Sequence, residues 1–109
     1  MDDSMYFVEG PRSRELAASV ERSWSGNGMV GAQAWFYGQI RADVLAEGAV
    51  TAIEYSAERV LAEASITDIR ERALARHGCV DIWIRHSLGI VPTGGISFIV
   101  GAASEHRTA

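Results

Sequence analysis

Val80-Asp81-Ile82-Trp83-Ile84-Arg85, a turn at Pro92-Thr93-Gly94-Gly95, and the run from Ile96 to Ala103 form the stretch that decides the fold. Val80, Ile82 and Ile84 alternate with Cys79, Asp81, Trp83 and Arg85, the period of two that gives a strand one apolar face. Proline and paired glycines punctuate the middle, so the two halves read as antiparallel strands of one hairpin.

Working outward, a helix precedes this hairpin. Between Ala57 and His77, Ala62, Ile66, Ile69 and Ala73 form an apolar stripe at helical spacing, while Glu63, Arg70, Glu71, Arg72 and Arg76 lie mostly off it. His77-Gly78 supplies a basic last turn and a glycine stop. Before it, Ala49 to Tyr55 has strand composition, Ala42 to Gly48 reads as a loop, and the aromatic run from Met29 to Ile40 reads as a buried strand. A first helix opens at Ser13, its N-cap, and puts Leu16, Val20 and Trp24 on one face. Ser25-Gly26-Asn27-Gly28 ends it, and a short strand around Met5 to Val8 begins the chain. The order β, α, β, β, α, β, β is α+β, a mostly antiparallel sheet with two main helices, in a single domain over 1–109.

Composition narrows the chemistry. All ten basic residues are arginine, so a Schiff-base lysine, a lysine general base and a P-loop lysine are excluded within these residues. A net charge of −4 argues against non-specific nucleic-acid binding, although a local arginine cluster can still hold phosphate. One cysteine, Cys79, permits no internal disulfide and is expected to be a small buried hydrophobe. No apolar run is long enough to span a membrane, and the first residues are acidic where a targeting peptide is basic, so the expected location is the cytoplasm.

Two familiar patterns fail on context. Gly26-Asn27-Gly28-Met29-Val30-Gly31 spells the dinucleotide fingerprint, but a helix precedes it and a strand follows, the reverse of what phosphate binding at a helix start requires. Ser104-Glu105-His106 holds a hydroxyl, a carboxylate and an imidazole without a nucleophile elbow. His77, His86 and His106 share no metal-ligand spacing, and neither a metal nor a bound cofactor is expected.

Cations at strand ends are the better candidates. Arg41 follows Phe36-Tyr37-Gly38-Gln39-Ile40, where glycine gives close backbone access and a guanidinium can hold phosphate bidentately. His106-Arg107 follows the last strand, where the pair can bind an anion while the imidazole handles a proton. On composition alone, solvated strand ends remain the simpler reading of both places.

Gly31-Ala32-Gln33-Ala34-Trp35-Phe36-Tyr37-Gly38-Gln39-Ile40-Arg41 resembles G-A-x-x-x-F-x-G-x-V-R of the large, catalytic subunit of molybdopterin synthase. Val50-Thr51-Ala52-Ile53-Glu54-Tyr55 resembles that family's V-x-x-L-E-Y. His86 to Ser97 resembles H-R-x-G-x-x-x-x-G-E-x-S, and Ser104-Glu105-His106-Arg107 resembles S-x-H-R. The pieces occur in order over most of the chain from Gly31.

The resemblance implies an α/β hammerhead fold and an enzyme of molybdenum cofactor biosynthesis. It implies sulfur transfer from the thiocarboxylated C-terminal glycine of a small ubiquitin-like subunit to cyclic pyranopterin monophosphate, in a dimer of large subunits carrying one small subunit at each end. Carried over residue by residue, Arg41 with Phe36 and Gly38 would bind and shape the substrate site, and His106 and Arg107 would act from across the dimer interface. The chain departs from the pattern at Ser87, where the family has arginine, and at Gly95, where it has glutamate. It also lacks the family's C-terminal segment with its lysines. The alternative implied by that departure is a catalytically impaired dimeric scaffold that binds a ubiquitin-like partner or a phosphorylated small molecule.

Overall fold

The computed structural model describes residues 6–45, 48–49, 51–55 and 59–106. Its elements are β1 (Phe7–Glu9), α1 (Arg14–Ser25), β2 (Ala32–Gln39), β3 (Val44–Leu45), β4 (Gly48–Ala49), β5 (Ala52–Tyr55), α2 (Arg59–His77), β6 (Asp81–Pro92) and β7 (Ile96–Ser104).

The expected antiparallel pair lies at the centre. Asp81 to His86 of β6 face Ala103 to Phe98 of β7, and β2 runs antiparallel along the other edge of β7. β1 adds in parallel to β6 at His86 to Leu88, giving the order β1-β6-β7-β2. β6 is longer than its alternating segment predicts, because it changes partner part-way. Beyond His86 it leaves β7, and from Gly89 to Pro92 it pairs with β5. Gly89 makes that departure in the left-handed region, φ 76°, where a side chain would be strained. The expected loop from Ala42 to Gly48 contains one arm and part of the other of a small ladder, β3 with β4.

Each helix covers one face. α1 starts where Ser13 caps it, its hydroxyl oxygen accepting from the Leu16 amide at 3.4 Å, an arrangement worth about 1 kcal/mol. The face that α1 buries is Ala17 and Trp24, whereas Leu16 is exposed, contrary to expectation. Small Ala17 lets the helix approach Ile96 and Ile99 closely, and Trp35, Tyr37 and Trp83 surround that contact. On the opposite face, Ala62 and Ile66 of α2 pack over Tyr6, Phe7, Ile84 and Leu88, with Ile82, Phe98 and Val100 alongside.

The α2 stripe does not continue through Ile69, which is exposed. Arg70 takes the sheet-facing place instead. Its Nη2 donates to Asp81 Oδ1 at 2.6 Å and its Nε to the Ile82 carbonyl at 2.7 Å, and Trp24 Nε1 of α1 donates to the other Asp81 oxygen at 3.3 Å. Asp81 therefore fastens both helices to the start of β6. Among the described residues no helix is long and apolar enough to cross a membrane.

Gly101 occupies the middle of the α1 face, paired with Trp35 on one side and Trp83 on the other. The Trp35 ring lies across it, so that a Cβ there would fall 2.5 to 2.8 Å from three ring carbons. We predict that Gly101→Ala lowers unfolding stability by about 1–3 kcal/mol through overpacking. Urea denaturation measures this, and an unchanged midpoint would contradict the packing described.

Candidate functional site

Phe36 and Gly38 lie on the α2 face of β2. Gly38 sits opposite Phe98, Phe98 opposite His86, and His86 opposite Phe7, one row crossing four strands. Because Gly38 has no side chain, the Phe36 ring leans edge-on toward Phe98, centroids 6.2 Å apart. His86 lies 5.3 Å from Phe98 and 5.6 Å from Phe7. His86 Nδ1 is 2.7 Å from the Ser87 carbonyl oxygen, which can only accept, so that nitrogen carries a proton. Phe36 ends the row in solvent at 60% exposure, and the result is an aromatic ledge open at the β2 edge.

Arg41 stands just past the same strand. Ile40 before it is buried and exchanges backbone hydrogen bonds with the turn, donating to the Gly95 carbonyl and accepting from the Gly94 amide. That pairing fixes where the exposed guanidinium emerges. Its Nε donates to Asp43, and this hydrogen bond and charge hold the guanidinium above its ordinary pKa, so it is a permanent cation. Its terminal nitrogens make no hydrogen bond among the described residues, which leaves the bidentate edge for an anion.

His106 is at the other end. β2 runs with Ala32 opposite Ser104 and Gln39 opposite Ile96, so Arg41 and His106 lie beyond opposite ends of an eight-residue strand, more than about 25 Å apart in one chain. The Gly31 amide donates to the Ser104 carbonyl at 2.8 Å, and a Cβ on Gly31 would lie 2.1 Å from the Glu105 carbonyl oxygen. His106 is exposed there, and Arg107 lies outside the described residues. The Ser104 hydroxyl donates to the His106 backbone carbonyl, not to its imidazole, which removes the nucleophile reading of Ser104-Glu105-His106. The Gly26 to Gly31 segment is the turn between α1 and β2, with Asn27 Oδ1 accepting from the Met29 amide.

Thus Phe36, Gly38 and Arg41 share one end of the sheet edge, and His106 is not with them in the same chain. His86 and Phe98 extend the ledge, and neither was a site residue on sequence alone. The signal for them was the register of the β6–β7 pair. Ser87 is fully buried, and Arg12, arriving from the β1–α1 connection, donates to its hydroxyl oxygen through Nε at 3.2 Å. A guanidinium thus still reaches this turn. At Gly95 a Cβ would stand 2.8 Å from Val91 Cγ1 and 2.9 Å from the Pro92 carbonyl oxygen, so this turn has no room for a side chain.

The model of the family described as MoaE protein matches residues 12–109. The chain belongs to the MoaE family. Among its relatives, the molybdopterin synthase catalytic subunit of Caulobacter vibrioides is 34% identical over 93 residues, 85% of this chain and 60% of that protein. The Aspergillus oryzae protein of the same name is 34% identical over 79 residues, 72% of this chain and 44% of the relative. This MoaE-family chain therefore spans only about half the length of the relatives it matches. Molybdopterin synthase from Staphylococcus aureus superposes with a TM-score of 0.80 over 98% of this chain and 74% of that one, at 21% identity. A complex of subunits 1 and 2 of molybdopterin-converting factor from Helicobacter pylori gives 0.78 over 94% and 66%, at 20% identity. The expected fold is therefore the one found.

Gly31 makes a local test of how the chain positions His106. Gly31→Ala is expected to push the 104–106 backbone away, costing about 1–3 kcal/mol in stability. It should also shift the His106 imidazole resonances in proton NMR, and an unmoved His106 spectrum with unchanged stability would refute the contact.

Proposed function

We propose that this chain acts as a large subunit of a molybdopterin synthase, binding cyclic pyranopterin monophosphate and receiving sulfur from the thiocarboxylated tail of a small ubiquitin-like subunit, in the cytoplasm. The observation that carries this reading is the pairing of an open aromatic ledge with a permanent cation along one strand. Gly38 and Arg41 are three residues apart, about 10 Å of extended chain, so a flat ring laid over Gly38, where the Phe36 ring edge comes to 3.7 Å from the Cβ position, and a phosphate on Arg41 can belong to one small molecule. The relatives named molybdopterin synthase catalytic subunit carry a name that gives molybdopterin as the product.

In this reading Phe36 and Gly38 form the ring subsite, and Arg41 grips the phosphate with its free edge. His106 and Arg107 serve a second copy of the chain, because His106 stands far from Arg41 of its own. An imidazole and a guanidinium there stabilise negative charge that develops as sulfur attacks the pterin side chain. These 109 residues contain no lysine, so the cationic side chains that they bring to that step are arginine and histidine. The alternative is a catalytically impaired dimeric scaffold that binds a ubiquitin-like partner or a phosphorylated small molecule.

Incubating the chain with thiocarboxylated small subunit and precursor decides between them. Dithiolene product supports the enzyme; binding of the small subunit without product, beside a productive full-length relative, supports the scaffold. Arg41→Ala should weaken precursor binding about tenfold or more, since a hydrogen bond to a charged group is worth about 1.5–3 kcal/mol. Calorimetry with unchanged affinity would remove Arg41 from the site.

A further inference from the structure

Arg12 is a half-buried cation without a part in the reading above. Its guanidinium donates only to neutral acceptors: Nη2 to the Glu9 carbonyl at 2.7 Å and the Gly10 carbonyl at 2.8 Å, and Nε to the Ser87 hydroxyl oxygen at 3.2 Å. Among the described residues no carboxylate forms an ion pair with it. Burial and, after it, the like charge of Arg85 lower its pKa from the ordinary value. A guanidinium drawn out of water with no counter-ion is costly, so what its contacts hold is informative.

Those contacts converge on one carbonyl. The Arg12 amide donates to the Ile96 carbonyl at 2.7 Å, and the Ser87 hydroxyl, whose oxygen the guanidinium holds, donates to the same carbonyl at 3.5 Å. Ile96 follows directly on the turn from Pro92 to Gly95, which the Gly95 amide closes onto the Pro92 carbonyl at 2.8 Å. The turn in turn grips Ile40, whose amide donates to the Gly95 carbonyl at 3.1 Å and whose carbonyl accepts from the Gly94 amide at 2.9 Å. Arg41 is the next residue. Among the described residues its side chain bonds only Asp43, two residues along the same loop, so the Ile40 backbone sets the point from which it reaches.

We propose that Arg12 is a positioning residue for the phosphate site: by clamping Ser87 and the Ile96 carbonyl it holds the Pro92 to Gly95 turn, and through Ile40 it fixes where Arg41 stands. The proposal rests on the reading of Arg41 as the phosphate ligand. Arg12 does not touch the bound molecule itself. Along β6, Ile84 packs on the α2 side of the sheet and Trp83 on the α1 side, so Ser87, an even step from Trp83, carries Arg12 to the face opposite the aromatic ledge. The planar fork of arginine suits the task, because one guanidinium spans a hydroxyl and two carbonyls at once, which a single ammonium does not.

Hydrogen exchange and calorimetry on the full chain test the relay. Arg12→Ala keeps its own amide bond to Ile96 and loses only the fork, and Ser87→Ala removes the other end of the contact with a smaller change. In each, exchange at the Ile40 and Gly94 amides should rise about tenfold, while the slowest amides of the β6–β7 ladder change much less. Arg12→Ala should weaken binding of cyclic pyranopterin monophosphate about fivefold, yet cost nothing further in an Arg41→Ala background, because the two residues act as one unit. Arg12→Lys keeps the charge without the fork and should bind like Arg12→Ala. Unchanged exchange at Ile40 and Gly94 would overturn the proposal. So would an equal loss of affinity with and without Arg41, or full affinity in Arg12→Lys, since both would mean that the charge acts on the anion directly. If Arg41→Ala alone bound the precursor as the unaltered chain does, the substrate reading would fall, and the exchange rates would still decide whether Arg12 holds the Ile40 backbone.

Discussion

Every other strand of the main sheet takes its place from the β6–β7 ladder. β2 is laid against one side of it and β1 and β5 against the other, and both helices are fastened where β6 begins, through Asp81. The ladder tolerates this load because Gly101 leaves space at its centre for the Trp35 ring, which joins Trp24 at 5.2 Å and Trp83 at 6.0 Å. Three tryptophans thus connect α1, β2 and β6 across one residue that lacks a side chain. Aromatic contacts of this type contribute beyond their buried area, about 0.5–1.5 kcal/mol each.

The same arrangement sets the limits of the site. Because β2 lies antiparallel to β7, the residue that follows β2 and the residues that follow β7 must emerge at opposite ends of the sheet. A single chain can offer a ring ledge with Arg41, or the His106 end, but not both to one small molecule.

Much of this was legible in the residues. Alternation at Val80 to Arg85, the turn at Pro92 to Gly95, the Ser13 cap and the glycine stop at Gly78 are local signals, and each stands where expected. What eluded the sequence depends on packing between distant segments. Leu16 lost its place to Ala17 because close approach to Ile99 rewards a small residue, and Ile69 lost its place to Arg70 because Asp81 offers a charged partner. Arg41 was recognisable from its strand-end position, whereas the contribution of His86 and Phe98 required the cross-strand register. The distance between Arg41 and His106 likewise follows from pairing, which no local pattern encodes.

The central claim is that each anion site is shared between two copies, and subunit complementation measures it most directly. Arg41→Ala and His106→Ala should each bind cyclic pyranopterin monophosphate weakly alone. Co-assembled, a mixed dimer carries one site with both residues intact and one with neither. Random mixing should therefore restore unaltered affinity at about a quarter of sites in a calorimetric titration. Binding that stays as weak as that of the separate variants would contradict the account.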